Sequence, residues 1–375
     1  MKPNELKRTL TRCMNAGLPV LIKGQPGVGK SDIVAQVAAE LGMNLILSHP
    51  VVSDPTDFKG MPAIVNQSNK VFLDVLREIA FTATTKKEFN MKDLFKSMVE
   101  PLGKTCDDDG VRAEFLPFGD LYRLVNAEVP TIAFLDDLGQ APACVQAAAM
   151  QLILARRVNG HKISDHVVFV AATNRRQDKA GVTGILEPVK SRFATIYELT
   201  PDEGDWTEWA FQNNMPGKLI AFAHFRPGLL TSFKPTSDIT NSPCPRTFAN
   251  AGKLINVGLD DIETLSGAVG EGAAVEMMGF FKYWNELPNL TALIADPDKA
   301  DVPTEPAALY AVVTGLVEKA TATNIERIFK YAKRLPKDFS ILLGRDCIRR
   351  DKDKKIQNTK AFIKWAVDNK DVLTA

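Results

Sequence analysis

Gly24-Gln25-Pro26-Gly27-Val28-Gly29-Lys30-Ser31 fits the pattern G-x-x-x-x-G-K-[ST] without a mismatch. Before it, Val20–Lys23 reads as a short buried strand. After it, Ile33, Val34, Val37, Ala38 and Leu41 recur at helical spacing, and Gly42 is placed to end that helix. Strand, glycine-rich turn and helix in this order make a cradle for phosphate. The glycines let consecutive N–H groups point inward, and the helix start adds the positive end of its dipole. Gly24, Gln25, Pro26, Gly27, Val28, Gly29, Lys30 and Ser31 are therefore the expected nucleotide-binding residues. Lys30 should reach the β- and γ-phosphates of ATP, and the Ser31 hydroxyl should ligate Mg²⁺.

Working outward, four more apolar runs read as buried strands: Asn44–Ser48, Thr131–Leu135, Val167–Ala171 and Ala194–Leu199. Helical patterns alternate with them, which predicts an α/β fold with a five-stranded parallel sheet. One such helix is expected from Pro142 to about Arg156. The Asn-Gly step inside Arg157–Ile163 predicts a small hairpin. A phosphate-binding loop calls for a second strand that ends in a carboxylate on the Mg²⁺ side. Thr131–Leu135 supplies it by running into Asp136 and Asp137. Asp136 is the expected Mg²⁺ residue, and Asp137 would orient or deprotonate the attacking water.

From about Pro201 onward strand signals fade and helices take over, among them Gly217–Phe225, Thr247–Gly258 and Ala273–Trp284. Thr323-Asn324-Ile325-Glu326 reads as a capping box opening a helix that Pro336 ends. Ala295–Glu305, acidic and with two prolines, is the expected linker. The organisation predicted is an α/β nucleotide-binding domain over 1–200 with an insert at about 65–114, a helical lid over 201–294, and a C-terminal helical extension over 295–375.

Asp136-Asp137-Leu138-Gly139-Gln140-Ala141-Pro142, followed by Val145-Gln146-Ala147-Ala148, resembles the second acidic motif of the MoxR branch of AAA+ ATPases. Further likenesses follow in that family's order, together spanning about residues 15–260. Asp54–Gly60 is similar to its Pro-Ser-Asp-Leu-Leu-Gly segment, and Phe115–Leu121 resembles the stretch before its acidic strand. Val168–Asn174 looks like the strand ending in the sensor 1 Asn. Leu186–Phe193 resembles the segment that carries the arginine finger, and Ser242–Thr247 the start of a lid helix that carries sensor 2.

The resemblance implies an AAA+ ATPase working as a ring, commonly a hexamer. Asn174 would then contact the γ-phosphate or water, Arg192 would act as finger in the neighbouring subunit, and Arg246 would act from the lid in the same chain. Arg175 and Arg176 compete for the finger role. It further implies a client protein, often one with a von Willebrand factor A domain. A nucleic-acid motor or loader is the alternative, and a nucleotide-gated scaffold with little turnover is a third reading. Two departures stand out: Asp137 replaces the usual Glu, and Gln140 stands where an Arg is common.

Composition excludes several other classes. Lys+Arg 46 against Asp+Glu 45 leaves a net charge of +1, so no global basic excess announces non-specific nucleic-acid binding. No run reaches the roughly 18–20 apolar residues of a membrane span. Five widely spaced cysteines without a Cys-x-x-Cys pair fit reduced thiols in a cytoplasmic protein. His49, His161, His166 and His224 have no metal-like spacing. Asp107–Asp109 reads as a solvated turn, and the mixed charges of Arg345–Lys370 as a solvated helical face.

Overall fold

The computed structural model describes residues 1–65, 112–178, 184–236 and 238–370. Five strands form its central sheet: β1 Val20–Gly24, β2 Asn44–Ser48, β3 Thr131–Leu135, β4 Val167–Asn174 and β5 Thr195–Leu199. Their order is β2-β3-β4-β1-β5, and every pairing is parallel. β1 therefore lies inside the sheet with a crossover on each side. The five runs expected from the sequence are these strands, with β4 continuing three residues beyond Ala171, to Asn174.

Alternation along each strand divides the apolar side chains between two faces. On one face Val20, Ile22, Ile132, Phe134, Val168 and Val170 pack against α1 (Pro3–Asn15) and α2 (Lys30–Leu41). On the other, Leu21, Ile46, Ala133, Leu135, Phe169 and Ala171 pack against α3 (Ala143–Ala155) and the short helix Gly119–Val125. Both faces are covered, so the central strands are apolar throughout, as parallel sheets require. Pro142 stands one residue before α3, as its N-cap. Arg157–Val158 and His161–Lys162 pair as the expected hairpin. A second antiparallel pair, Met61–Val65 with Arg112–Leu116, is an element the sequence did not announce. Most of the insert expected at about 65–114 lies outside the described residues, Asp107–Asp109 included.

The remainder is helical: α4 Glu203–Gln212, α5 Gly217–Phe225, α6 Pro245–Asn256, α7 Ile262–Val269, α8 Glu271–Asn285, α9 Leu290–Ala295, α10 Pro306–Lys319, α11 Ile325–Ala332, α12 Lys337–Arg350 and α13 Lys360–Asp368. Trp206, Phe222, Phe248 and Phe280 anchor one helical core. Val312, Leu316, Ile328, Tyr331 and Trp365 anchor a second. α10 serves both, turning Ala307 and Ala311 to the first and Val312, Val313 and Leu316 to the second.

Three sequence expectations need correction here. The expected capping box at Thr323–Glu326 does not form. Asn324 is the N-cap, and its Oδ1 accepts from the Thr321 N–H at 2.8 Å instead of capping α11. Ala295–Glu305 is not a free linker, because Arg334 donates to the Pro297 and Ala300 carbonyls and the Tyr331 hydroxyl to that of Asp301. The charges of Arg345–Lys370 do not all face solvent. Asp346 is fully buried, and Arg350 donates to the Val317 and Ala320 carbonyls that close α10.

Candidate nucleotide site

The strand register decides which loops meet. Gly24 pairs with Asn174, and Leu135 pairs with Ala171. The loop after β1, the acids after β3 and the Asn ending β4 therefore leave the same edge of the sheet side by side. Asp136 is held there by its backbone N–H, which donates to the Ser48 carbonyl at 2.9 Å.

Within the loop, Gly27 and Gly29 have φ of 73° and 98°, backbone that side chains with a Cβ rarely adopt. This curl brings Lys30 to the first position of α2 and under the loop, where it is only 7% exposed. Its ammonium donates to the Gly24 and Gln25 carbonyls at 3.1 Å each and to Asn174 Oδ1 at 2.7 Å. Burial pulls Lys30 down to about 8, against the pull of Asp137 and Asp136, while the charge of Arg246 adds to the fall. Next to it, the Ser31 hydroxyl donates to Asp136 Oδ2 at 2.6 Å.

Asp137 stands in the left-handed region at φ 56°. The turn is closed by its N–H on Asp136 Oδ1 at 3.0 Å and by the Gln140 N–H on the Asp137 carbonyl at 2.9 Å. Its carboxylate Oδ1 accepts from Gln140 Nε2 at 2.8 Å and from Asn174 Nδ2 at 3.3 Å. The Gln140 contact is one that residue types and spacing did not reveal. It depends on Gly139, where a Cβ would lie 2.1 Å from Thr173 Oγ1, so the turn can press against the end of β4.

The helical part completes the surroundings. Arg246, on the first turn of α6, donates its backbone N–H to the Gly27 carbonyl at 3.0 Å. A cavity of about 300 Å³ runs beside the loop, between Val28, Ser31 and Ile33 on one side and Trp206, Arg246 and Asn250 on the other. α1 closes its rim, with Asn4 bonding both Asp205 and Glu208 and Lys2 paired with Asp202.

The structure thus brings Lys30, Ser31, Asp136, Asp137 and Asn174 together, with Arg246 on the facing wall. Arg192 is elsewhere, since it precedes β5 at the opposite edge of the sheet and donates to the Pro188 carbonyl. Arg175 is engaged by Asp178 through two bonds of 2.9 Å. Among the described residues, no group of three or more His, Cys, Asp or Glu is placed to hold a metal, and no helix is long and apolar enough to cross a membrane.

A buried ionic cluster joins His224, Glu203 and Asp346, a grouping that no spacing in the sequence announces. His224 of α5 is in contact with Glu203 through Nδ1 and with Asp346 through Nε2, the latter at 2.7 Å. Arg349 donates to the other Asp346 oxygen at 2.8 Å. Burial opposes charge on His224, but Asp346 and Glu203 outweigh it and raise the imidazole to about 9.

Sheet order, glycine loop and carboxylate edge define a P-loop α/β nucleotide-binding domain. The chain is 30% identical over 100 residues to a Holliday junction branch migration complex subunit RuvB from Saccharopolyspora erythraea. That match spans 26% of this chain and only 28% of the relative's length. No protein-family model matches. Among solved structures, the Thermotoga maritima RuvB Holliday junction branch migration motor aligns over 84% of this chain and 81% of its own, with 14% identity and a TM-score of 0.37. A replication initiator DnaA bound to AMPPCP and single-stranded DNA aligns over 97% and 92%, with 14% identity and a TM-score of 0.34.

Proposed function

We propose that this chain hydrolyses ATP with Mg²⁺ in a ring of subunits and uses the cycle to remodel a bound macromolecule. The observation that carries the reading is the linked set Ser31–Asp136 and Lys30–Asn174–Asp137, gathered where a curled glycine loop meets a helix N-terminus. Lys30 supplies positive charge to the phosphates, and the loop N–H groups hold them in place. Ser31 and Asp136 are a hydroxyl and a carboxylate, hard oxygen donors of the kind Mg²⁺ takes, and they would hold the ion. Once bound, the ion neutralises charge on the phosphate oxygens. Asp137 accepts the proton of the attacking water, and Asn174 fixes both that carboxylate and the lysine.

Arg246 approaches from the helical part of the same chain, and Arg192 serves the neighbouring subunit. The resemblance to MoxR proteins implies a hexamer. Of the two outputs, action on nucleic acid takes first place, supported by the likeness to a RuvB subunit. Action on a client protein, of the kind that carries a von Willebrand factor A domain, rests on the motif order around Asp136–Pro142.

Turnover of Mg²⁺-ATP measured with and without branched and single-stranded DNA, over a range of salt, tests this. DNA should stimulate turnover several-fold, with the stimulation falling steeply as salt rises. Turnover indifferent to DNA at every salt concentration would remove the nucleic-acid reading and leave the client protein. Lys30→Ala should abolish turnover, and activity that survives it would overturn hydrolysis at this site.

A further inference from the structure

The carboxylate at position 137 is one methylene shorter than the Glu common in the family it resembles, so its placement depends more on what holds it. Two amides donate to its Oδ1: Gln140 Nε2 at 2.8 Å and Asn174 Nδ2 at 3.3 Å. The Asn174 amide is itself oriented, because Lys30 donates to its oxygen and leaves its NH₂ facing Asp137. Gln140 is oriented by the carboxylate, and its own oxygen is buried without a hydrogen-bond partner among the described residues. A buried carbonyl left unpaired costs free energy, so the contact its amide nitrogen makes has to offset that cost.

We propose that Gln140 is the positioning residue of this site: it fixes the rotation of the Asp137 carboxylate so that Oδ2 is presented to the attacking water. Saturating one oxygen with two donors removes the freedom of a short side chain to swing between its two oxygens. The turn is built for this contact. The Gln140 N–H closes on the Asp137 carbonyl, and Gly139 lets the turn lie against Thr173. Gln140 touches neither nucleotide nor water in this account and acts only through Asp137. The inference rests on the hydrolysis reading above.

The test measures kcat, KM and equilibrium ATP affinity for the native chain, Gln140→Ala, Gln140→Glu and Asp137→Asn, and for Gln140→Ala combined with Asp137→Asn. Gln140→Ala should lower kcat about tenfold, the worth of one hydrogen bond to a charged group, with KM and affinity within about twofold. Gln140→Glu keeps the size, removes the donor and adds a like charge, so it should lower kcat further. In the Asp137→Asn background, Gln140→Ala should change the residual rate little, because the group it acts on is gone.

Several results would overturn the proposal. They are native kcat in both Gln140 variants, an equal loss with and without the Asp137 carboxylate, or a loss confined to KM. A faster Gln140→Ala chain would make the residue a brake instead. If the native chain binds ATP but turns none over, the hydrolysis reading fails, and this inference with it. That case is told apart from the others because the native rate is measured first.

Discussion

Lys30 shows how one residue can be legible in the sequence while its state is not. Spacing alone placed it in the loop, because the motif is local and every constraint lies within eight residues. Its burial and its bond to Asn174, 144 positions away, come from sheet register, which no local pattern encodes. Held at about 8, the ammonium starts to lose its proton just above neutral pH. The protonated form is the one that attracts phosphate, so ATP affinity should fall as pH rises through 8. Calorimetric titration between pH 6.5 and 9.5 checks this, and a Lys30→Arg chain should show weaker binding with a flat profile because guanidinium stays charged. Gly27 makes a second prediction at this scale. A Cβ there would lie 2.5 Å from Cys244 Sγ, on backbone at φ 73°. Gly27→Ala should cost about 1–2 kcal/mol from the backbone alone and push α6 off the loop. A lowered melting temperature together with weaker ATP binding is the expected result.

At the scale of elements, the strands were readable because apolar runs bounded by polar residues have few other fates, and the helices because their stripes are continuous. What could not be read is how distant elements pair their charges. His224 sits on α5, Glu203 on α4 and Asp346 on α12, with Tyr310 of α10 stacked over the imidazole, and no spacing rule joins those positions. The resulting pH dependence has a definite sign. The His224 pKa is raised above its ordinary 6.5, so its contribution to stability is complete below that value and is lost as pH rises through about 9. Asp346 is lowered, by His224 and Arg349 against the burial that opposes them. Its contribution is present above the ordinary 3.8 and is lost as pH falls through its lower folded value. Thermal stability should therefore form a plateau from mildly acidic to about neutral pH and decline towards pH 9. Replacing His224 with Gln should remove the alkaline decline. Asp346→Ala leaves a buried cation with one partner fewer, and denaturant unfolding should report a loss of about 3–5 kcal/mol.

For the whole molecule, the decisive geometry is that Arg192 and Lys30 belong to opposite edges of one sheet. β1 and β5 run in register from Val20 beside Thr195 to Gly24 beside Leu199. The phosphate loop follows the far end of β1, while Arg192 precedes the near end of β5. Five strand residues, about 17 Å of rise, separate the two edges. An arginine placed there cannot serve the loop of its own chain without rebuilding the sheet, so the proposed finger role requires a neighbouring subunit. Arg175 leaves the correct edge, yet Asp178 and Glu198 already engage it. The consequence is a complementation experiment. Lys30→Ala and Arg192→Ala chains should each be inactive alone, and specific activity of the native chain should rise with concentration and then saturate. Mixed in equal amounts, the two variants should regain activity, because an intact Lys30 from one chain then meets an intact Arg192 from the other. Random assembly makes about a quarter of the subunit interfaces competent in a closed ring, which sets the ceiling on recovery. Flat specific activity with no recovery at any mixing ratio would place the finger within the chain and dissolve the case for the ring, while leaving the Lys30 cluster untouched.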